Sequence, residues 1–194
     1  MSEYIVTVMA RDRVGIVADV SGALFKLGGN ITDLSQTLLR GYFTLIISVG
    51  TPDSVTADSI RSSVAAAGAA GEFDVGVKPY EPEPAQAPAE TELFVLTTRG
   101  RDRPGIIARV TSYLAGQGIN IEDFYARVVS GDLLMIIQAA VPTRLNIHDL
   151  QREIEQVGAE FGLTAHLQHE NIFRMTNELR PVRTTRAGRP TTDN

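Results

Sequence analysis

The sequence predicts an α+β protein built from one βαββαβ unit used twice. Three observations predict it. The 194-residue chain matches itself at an offset of ninety positions without a gap. Within each copy the apolar residues alternate with period two, then recur at helical spacing, and then alternate again. A segment dominated by Pro and Glu, Pro79-Tyr80-Glu81-Pro82-Glu83-Pro84-Ala85-Gln86-Ala87-Pro88-Ala89-Glu90, separates the copies. It is too proline-rich for a strand interior and reads as an extended, semi-stiff connection.

The repeat is dense. Arg11, Asp12, Arg13, Gly15, Ile16, Ala18 and Val20 meet identical residues at Arg101, Asp102, Arg103, Gly105, Ile106, Ala108 and Val110. Leu24 meets Leu114, Gly28 meets Gly118, Asn30-Ile31 meets Asn120-Ile121, and Asp33 meets Asp123. Gly41, Ile46-Ile47 and Pro52 meet Gly131, Ile136-Ile137 and Pro142. Chance does not hold that register, so the chain is a duplication.

Residues 3–10 and 93–99 are rich in Ile, Val, Thr and aromatics and read as first strands. Ile16, Val17, Val20, Leu24 and Leu27, and then Ile106, Ile107, Val110 and Leu114, recur at helical spacing. Gly28-Gly29 and the Gly116–Gly118 stretch supply left-handed helix ends. Residues 30–40 and 120–130 form second strands that turn at Gly41 and Gly131 into third strands. There Phe43, Leu45, Ile47 and Val49 share one face, as do Leu133, Met135, Ile137 and Ala139. Leu134 and Ile136 make the opposite face of the second copy apolar as well, a surface expected to meet a neighbour.

Pro52 and Pro142 stop these strands. The next helix of copy two opens at the N-cap Asn146, with Asp149 three residues on, and carries the stripe Ile147, Leu150, Ile154, Val157, Phe161. Its counterpart has the weaker stripe Ile60, Val64, Ala67. Fourth strands follow at 72–80 and 163–170. This order is the ferredoxin-like arrangement, an antiparallel sheet with helices on one face. The expected domains are residues 1–78 and 92–173, joined by the linker 79–91. A tail at 174–194 carries five arginines and reads as a disordered, solubilising end or, alternatively, as a weak contact for nucleic acid or an acidic partner.

Composition narrows function. With no cysteine there is no disulfide, thiolate metal site or thiol nucleophile. A net charge of −5 and the lack of a helix-turn-helix segment argue against direct DNA binding. Met1-Ser2-Glu3-Tyr4 is no signal peptide, and no apolar run reaches membrane-spanning length, so a cytoplasmic location is expected. His166 and His169 point to opposite faces of a strand and do not form a shared metal site. Gly116-Gln117-Gly118 follows a helix and is no dinucleotide loop. No acid/base carboxylate pair or nucleophile motif stands out, and neither an enzyme nor a cofactor is expected.

The candidate binding residues cluster at the strand-to-helix turns. Gly15 and Gly105 open helices whose first N–H groups lack intrahelical acceptors and favour an anion such as a carboxylate. Asp12 and Asp102, three residues earlier, suit a cation. Together they fit a small zwitterion. Each Asp could equally cap its helix or pair with a flanking arginine, and each Gly could serve the turn alone.

Asp102-Arg103-Pro104-Gly105-Ile106, with Gly118-Ile119-Asn120-Ile121 further on, resembles the ACT domain, a regulatory ligand-binding module of βαββαβ fold. Arg11–Val17 followed by Asp33-Leu34-Ser35-Gln36-Thr37 is similar to small stand-alone ACT proteins. Two such modules with nothing else attached resemble the glycine cleavage system transcriptional repressor family. The resemblance covers about residues 3–172. It implies an amino acid or similar metabolite bound by Asp12, Gly15, Ile16, Asn30 and Ile31, and by Asp102, Gly105, Ile106, Asn120 and Ile121. It also implies sites that often form between two modules, a homodimer, and action through another regulatory protein. Where the serine-feedback site of phosphoglycerate dehydrogenase has an Asn, this chain has Asp12 and Asp102, which favours an amino group as the partner. The copies differ beside the motif, with Val14 against Pro104 and Asp19 against Arg109.

Overall fold

Period-two runs of β-branched residues become the central strands of two separate sheets in a computed structural model of the chain, which describes residues 1–82 and 90–177. The first unit contains β1 (Ser2–Arg11), α1 (Ile16–Lys26), β2 (Asn30–Leu39), β3 (Tyr42–Thr51), α2 (Ala57–Ala65) and β4 (Asp74–Pro79). The second contains β5 (Thr91–Arg101), α3 (Ile106–Gly116), β6 (Asn120–Val129), β7 (Asp132–Pro142), α4 (Ile147–Ala159), β8 (Thr164–His169) and α5 (Glu170–Asn177). The sheets are antiparallel, ordered β2-β3-β1-β4 and β6-β7-β5-β8. Both are the expected ferredoxin-like arrangement. The chain divides between residues 86 and 87, inside the Pro/Glu segment. Most of that segment, and the tail beyond residue 177, lie outside the described residues.

Each unit has its own core. In the first, Val6 and Val8 of β1 and Leu45, Ile47 and Val49 of β3 meet Ile16, Val20 and Leu24 of α1 and Ile60 and Val64 of α2. In the second, Leu96, Met135 and Ile137 meet Ile106, Leu114, Leu150 and Ile154. Each such side chain contributes about 1.5–3 kcal/mol on burial. The third-strand alternation read from sequence is the pattern observed, with Phe43, Leu45, Ile47 and Val49 all buried.

Helix ends follow the local chemistry. Gly28 (φ 74°) and Gly118 (φ 72°) take the left-handed conformation after α1 and α3. In each, the next N–H returns to the helix, Gly29 to the carbonyl of Leu24 and Ile119 to that of Leu114, which is a Schellman closure. Asn146 caps α4 by accepting from the N–H groups of His148 and Asp149. Thr56 and Ser59 form a capping box on α2 that the sequence reading did not anticipate.

Two features were not foreseen. The sequence places the fourth strand of copy two and then the tail, whereas Glu170–Asn177 is a helix. Its Glu170 accepts from Gln138 at 3.0 Å, and Val95, on the face of the sheet away from α3 and α4, is only 5% exposed. Helices therefore lie on both faces of the second sheet, and Arg174 belongs to α5, ion-paired to Glu170 at 2.6 Å. The second feature is Thr98, which stands in the core where copy one has Val8. Its hydroxyl is buried with no hydrogen-bond partner among the described residues.

An unsatisfied buried hydroxyl costs about 1–3 kcal/mol, and valine has nearly the same shape. Thr98→Val is therefore expected to stabilise the second unit by about 1 kcal/mol or more, read as a higher urea midpoint with an unchanged slope.

Candidate functional site

The two strand-to-helix turns are built alike. Asp12 leaves β1 with its N–H on the carbonyl of Gly41, and Asp102 leaves β5 with its N–H on that of Gly131, both at 3.0 Å. The turn is thus tied to the tip of the neighbouring hairpin. Gly15 (φ 97°) and Gly105 (φ 93°) then take the left-handed conformation that lets the chain enter the helix. Neither helix has a side-chain cap, so the N–H groups of the first turn face out from Ile16 and Ile106 onward without an acceptor. The carboxylates of Asp12 and Asp102 cap nothing and pair with nothing among the described residues.

The flanking arginines are engaged elsewhere. Arg11 lies over the Tyr42 ring, 4.2 Å from its centroid. Arg13 spans Asp19 of α1 (2.7 Å) and Glu72 of the α2–β4 connection, and rests on Phe73. Hydrogen bonds from Arg13, and secondly from the Ala69 N–H, hold the Glu72 carboxyl below the usual glutamate range. The pairing in turn raises the Arg13 pKa.

Copy two reverses the charges. Arg109, in the place of Asp19, pairs with Glu160 in two hydrogen bonds of 2.7 and 2.9 Å. Its hydrogen bonds depress the Glu160 carboxyl. Arg103 is left without a partner among the described residues, and Arg101 reaches Asp132 at 3.8 Å. The helix start of copy two therefore has a free arginine beside it, while that of copy one has its arginine tied down.

The remaining candidates lie elsewhere. Asn30 pairs with Gly50, at the end of the sheet where β1 starts, whereas Asp12 follows the end where β1 finishes. The eleven residues of α1 separate Gly15 from Asn30, a rise of about 16 Å. Asn120 stands in the same relation to Asp102. No single unit brings Asp, Gly and Asn to one point. Ile31 and Ile121 are half-buried against the cores, and Ile16 and Ile106 are core residues that offer only backbone N–H groups outward.

Asn30 borders a groove of about 470 Å³ with Ala18, Ser21, Gly22, Phe25 and Ile31. Its side chain has no hydrogen bond among the described residues, whereas the Asn120 amide donates to Glu122 at 2.7 Å. At the Asp12 end, Met9, Arg11, Tyr42, Glu72 and Asp74 line a second hollow of about 440 Å³. Sequence patterning missed Tyr42 and Glu72, because their roles depend on contacts across the fold. Among the described residues no group of His, Asp and Glu could hold a metal ion, and no helix is long and apolar enough to cross a membrane.

The ACT domain model matches residues 3–78 and 92–168. The chain belongs to the ACT domain family. A UPF0237 protein of Methanosarcina acetivorans is 31% identical over 87 residues, 44% of this chain and 95% of the relative. Another, from Streptococcus pneumoniae, is 42% identical over 64 residues, 33% of this chain and 73% of the relative. Each resembles a single copy.

Both ACT copies are represented in an unknown protein from Galdieria sulphuraria, with 26% identity, a TM-score of 0.68, and coverage of 87% of this chain and 98% of that one. A structure provisionally named as a glycine cleavage system transcriptional repressor has 20% identity and a TM-score of 0.63, covering 86% and 96%, and shares the fold. This is a tandem ACT protein with no further domain among its described residues.

Arg13→Gln is expected to return the Glu72 carboxyl toward 4.5, its ordinary value, in a carboxyl-detected NMR titration. Because the folded-state pKa is lowered, the pair stabilises the first unit above about pH 4.5 and loses that contribution as pH falls through the lowered value. The variant should show a shallower acid limb of unfolding.

Proposed function

We propose that this ACT protein is a non-enzymatic regulator that takes an amino acid or a similar small zwitterion and passes its bound state to another regulatory protein. The observation that carries the proposal is the pairing of an uncapped helix start at Gly15 or Gly105 with an unpartnered Asp12 or Asp102. The ligand carboxylate lies on the N–H groups of Ile16 and Val17, or of Ile106 and Ile107, where the helix dipole adds to the attraction. The ammonium meets Asp12 or Asp102.

Asn30 and Asn120 lie too far along their own sheets to reach this point, so a site that uses all three residue types takes its asparagine from another ACT module, and the proposed working form is a homodimer. A ligand held that way favours the dimer arrangement that completes its site, which is the condition for coupling binding to an output. Control of transcription by contact with a DNA-binding protein is the form of output that the sequence resemblance suggests.

A second reading, a ligand-free assembly module, draws on the open face of the first sheet. There Ile46 is 53% exposed and Met9, Leu39 and Tyr42 also stand out to solvent.

A thermal-shift screen of the twenty amino acids separates the two. A ligand at a hundred times its dissociation constant stabilises by about 2.7 kcal/mol. The proposal expects at least one such shift, abolished by Asp12→Ala or Asp102→Ala. No shift with any amino acid, together with an intact dimer, would favour the assembly module.

A further inference from the structure

The open face of the second sheet carries a cationic hollow that the first lacks. Arg99 of β5 and Arg127 of β6 both pair with Leu134 of β7, one from each side. The three side chains therefore share one face in one row, and the arginine Cα atoms stand about 10 Å apart across two strand spacings. Two extended guanidinium side chains at that separation can converge on one group. Val129, Ser130 and Asp132 complete a hollow of about 390 Å³, within the range of small-molecule sites. Leu134, 37% exposed, gives it an apolar floor.

Neither Arg99 nor Arg127 has a side-chain partner among the described residues. The one carboxylate at the rim, Asp132, is already faced by Arg101 at 3.8 Å. Three arginines against one aspartate leave a local surplus of two positive charges in a chain of net charge −5. Unpaired guanidinium groups held side by side repel each other unless an anion lies between them.

The duplication sharpens the case. At the same three positions copy one has Met9, Thr37 and Thr44, in the same register. The cationic row is thus a property of the second copy, not of the fold. Among the described residues the hollow also stays open. α5 crosses the same face at Gln138, four residues from Leu134 along β7, and leaves the hairpin end uncovered.

We propose that this hollow binds a small organic phosphate, with the phosphate between Arg99 and Arg127 and its hydrocarbon part on Leu134 and Val129. Guanidinium forks match phosphate oxygens in geometry and charge. This site uses other side chains than the helix-start site, which lies on the helix-covered side of the same hairpin end, where the Asp102 N–H meets the carbonyl of Gly131.

Phenyl phosphate is the probe, titrated calorimetrically into the full chain beside inorganic phosphate and benzoate. Phenyl phosphate should bind more tightly than either. Arg99→Met and Arg127→Thr, which install the residues of copy one, should each weaken it by about tenfold or more while leaving the melting transition in place. Asp102→Ala should bind it as the parent does. The proposal is overturned if the parent chain binds no phenyl phosphate, if the folded double variant binds it equally well, or if inorganic phosphate and benzoate match it.

Discussion

A glycine held at positive φ is the constraint on which the functional end of each unit depends. β1 and β5 run at the centre of their sheets, and α1 and α3 must pack back over them to bury Ile16, Val20 and Leu24, or Ile106, Val110 and Leu114. The chain has a few residues in which to reverse. Gly15 and Gly105 make the reversal at φ 97° and 93°, where an L side chain would be strained. A glycine at the N-cap offers no side-chain acceptor, so the helix start is left with open donors. Geometry that the fold requires therefore creates an anion-binding surface, and Asp12 or Asp102 adds a cation-binding group beside it.

Duplication then allowed the surroundings to diverge over a common frame. Copy one engages its turn arginine, Arg13, with Asp19 and Glu72. Copy two adds an arginine on the helix, Arg109, and pairs it with Glu160, while Arg103 has no partner among the described residues. The asparagines diverge in the opposite sense, Asn120 tied to Glu122 and Asn30 without a side-chain hydrogen bond among the described residues. The hairpin tips diverge as well, with Arg11 on Tyr42 in one and Arg101 facing Asp132 in the other. The fold is conserved between copies through its core positions, and the charges at its rim set what each copy can hold.

Most of the architecture was legible in the sequence because it is periodic. The offset of ninety, the alternation from Phe43 to Val49 and the glycines after each helix are local signals, and each marks the element observed. What the sequence did not disclose depends on contacts between distant positions. Arg13 meets Glu72 only after the fold brings them together. α5 has too short an apolar pattern to stand out, and its contact with the sheet, Glu170 with Gln138, joins positions 32 apart in sequence. The candidate residues could be proposed one by one from sequence, yet their spacing along the chain hid that Asp12 and Asn30 occupy opposite ends of one sheet. The register of β1 with β3 and of β2 with β3 is what separates them.

The most direct test is an amide-resolved NMR titration of the full chain with millimolar pools of amino acids. A carboxylate resting on the open helix starts would move the amide signals of Ile16 and Val17, or of Ile106 and Ile107, more than any others. Asp12→Ala or Asp102→Ala would remove that response at the matching turn. Amino-acid-dependent shifts confined to other elements, or unchanged spectra with every pool, would contradict a zwitterion site at the left-handed glycines.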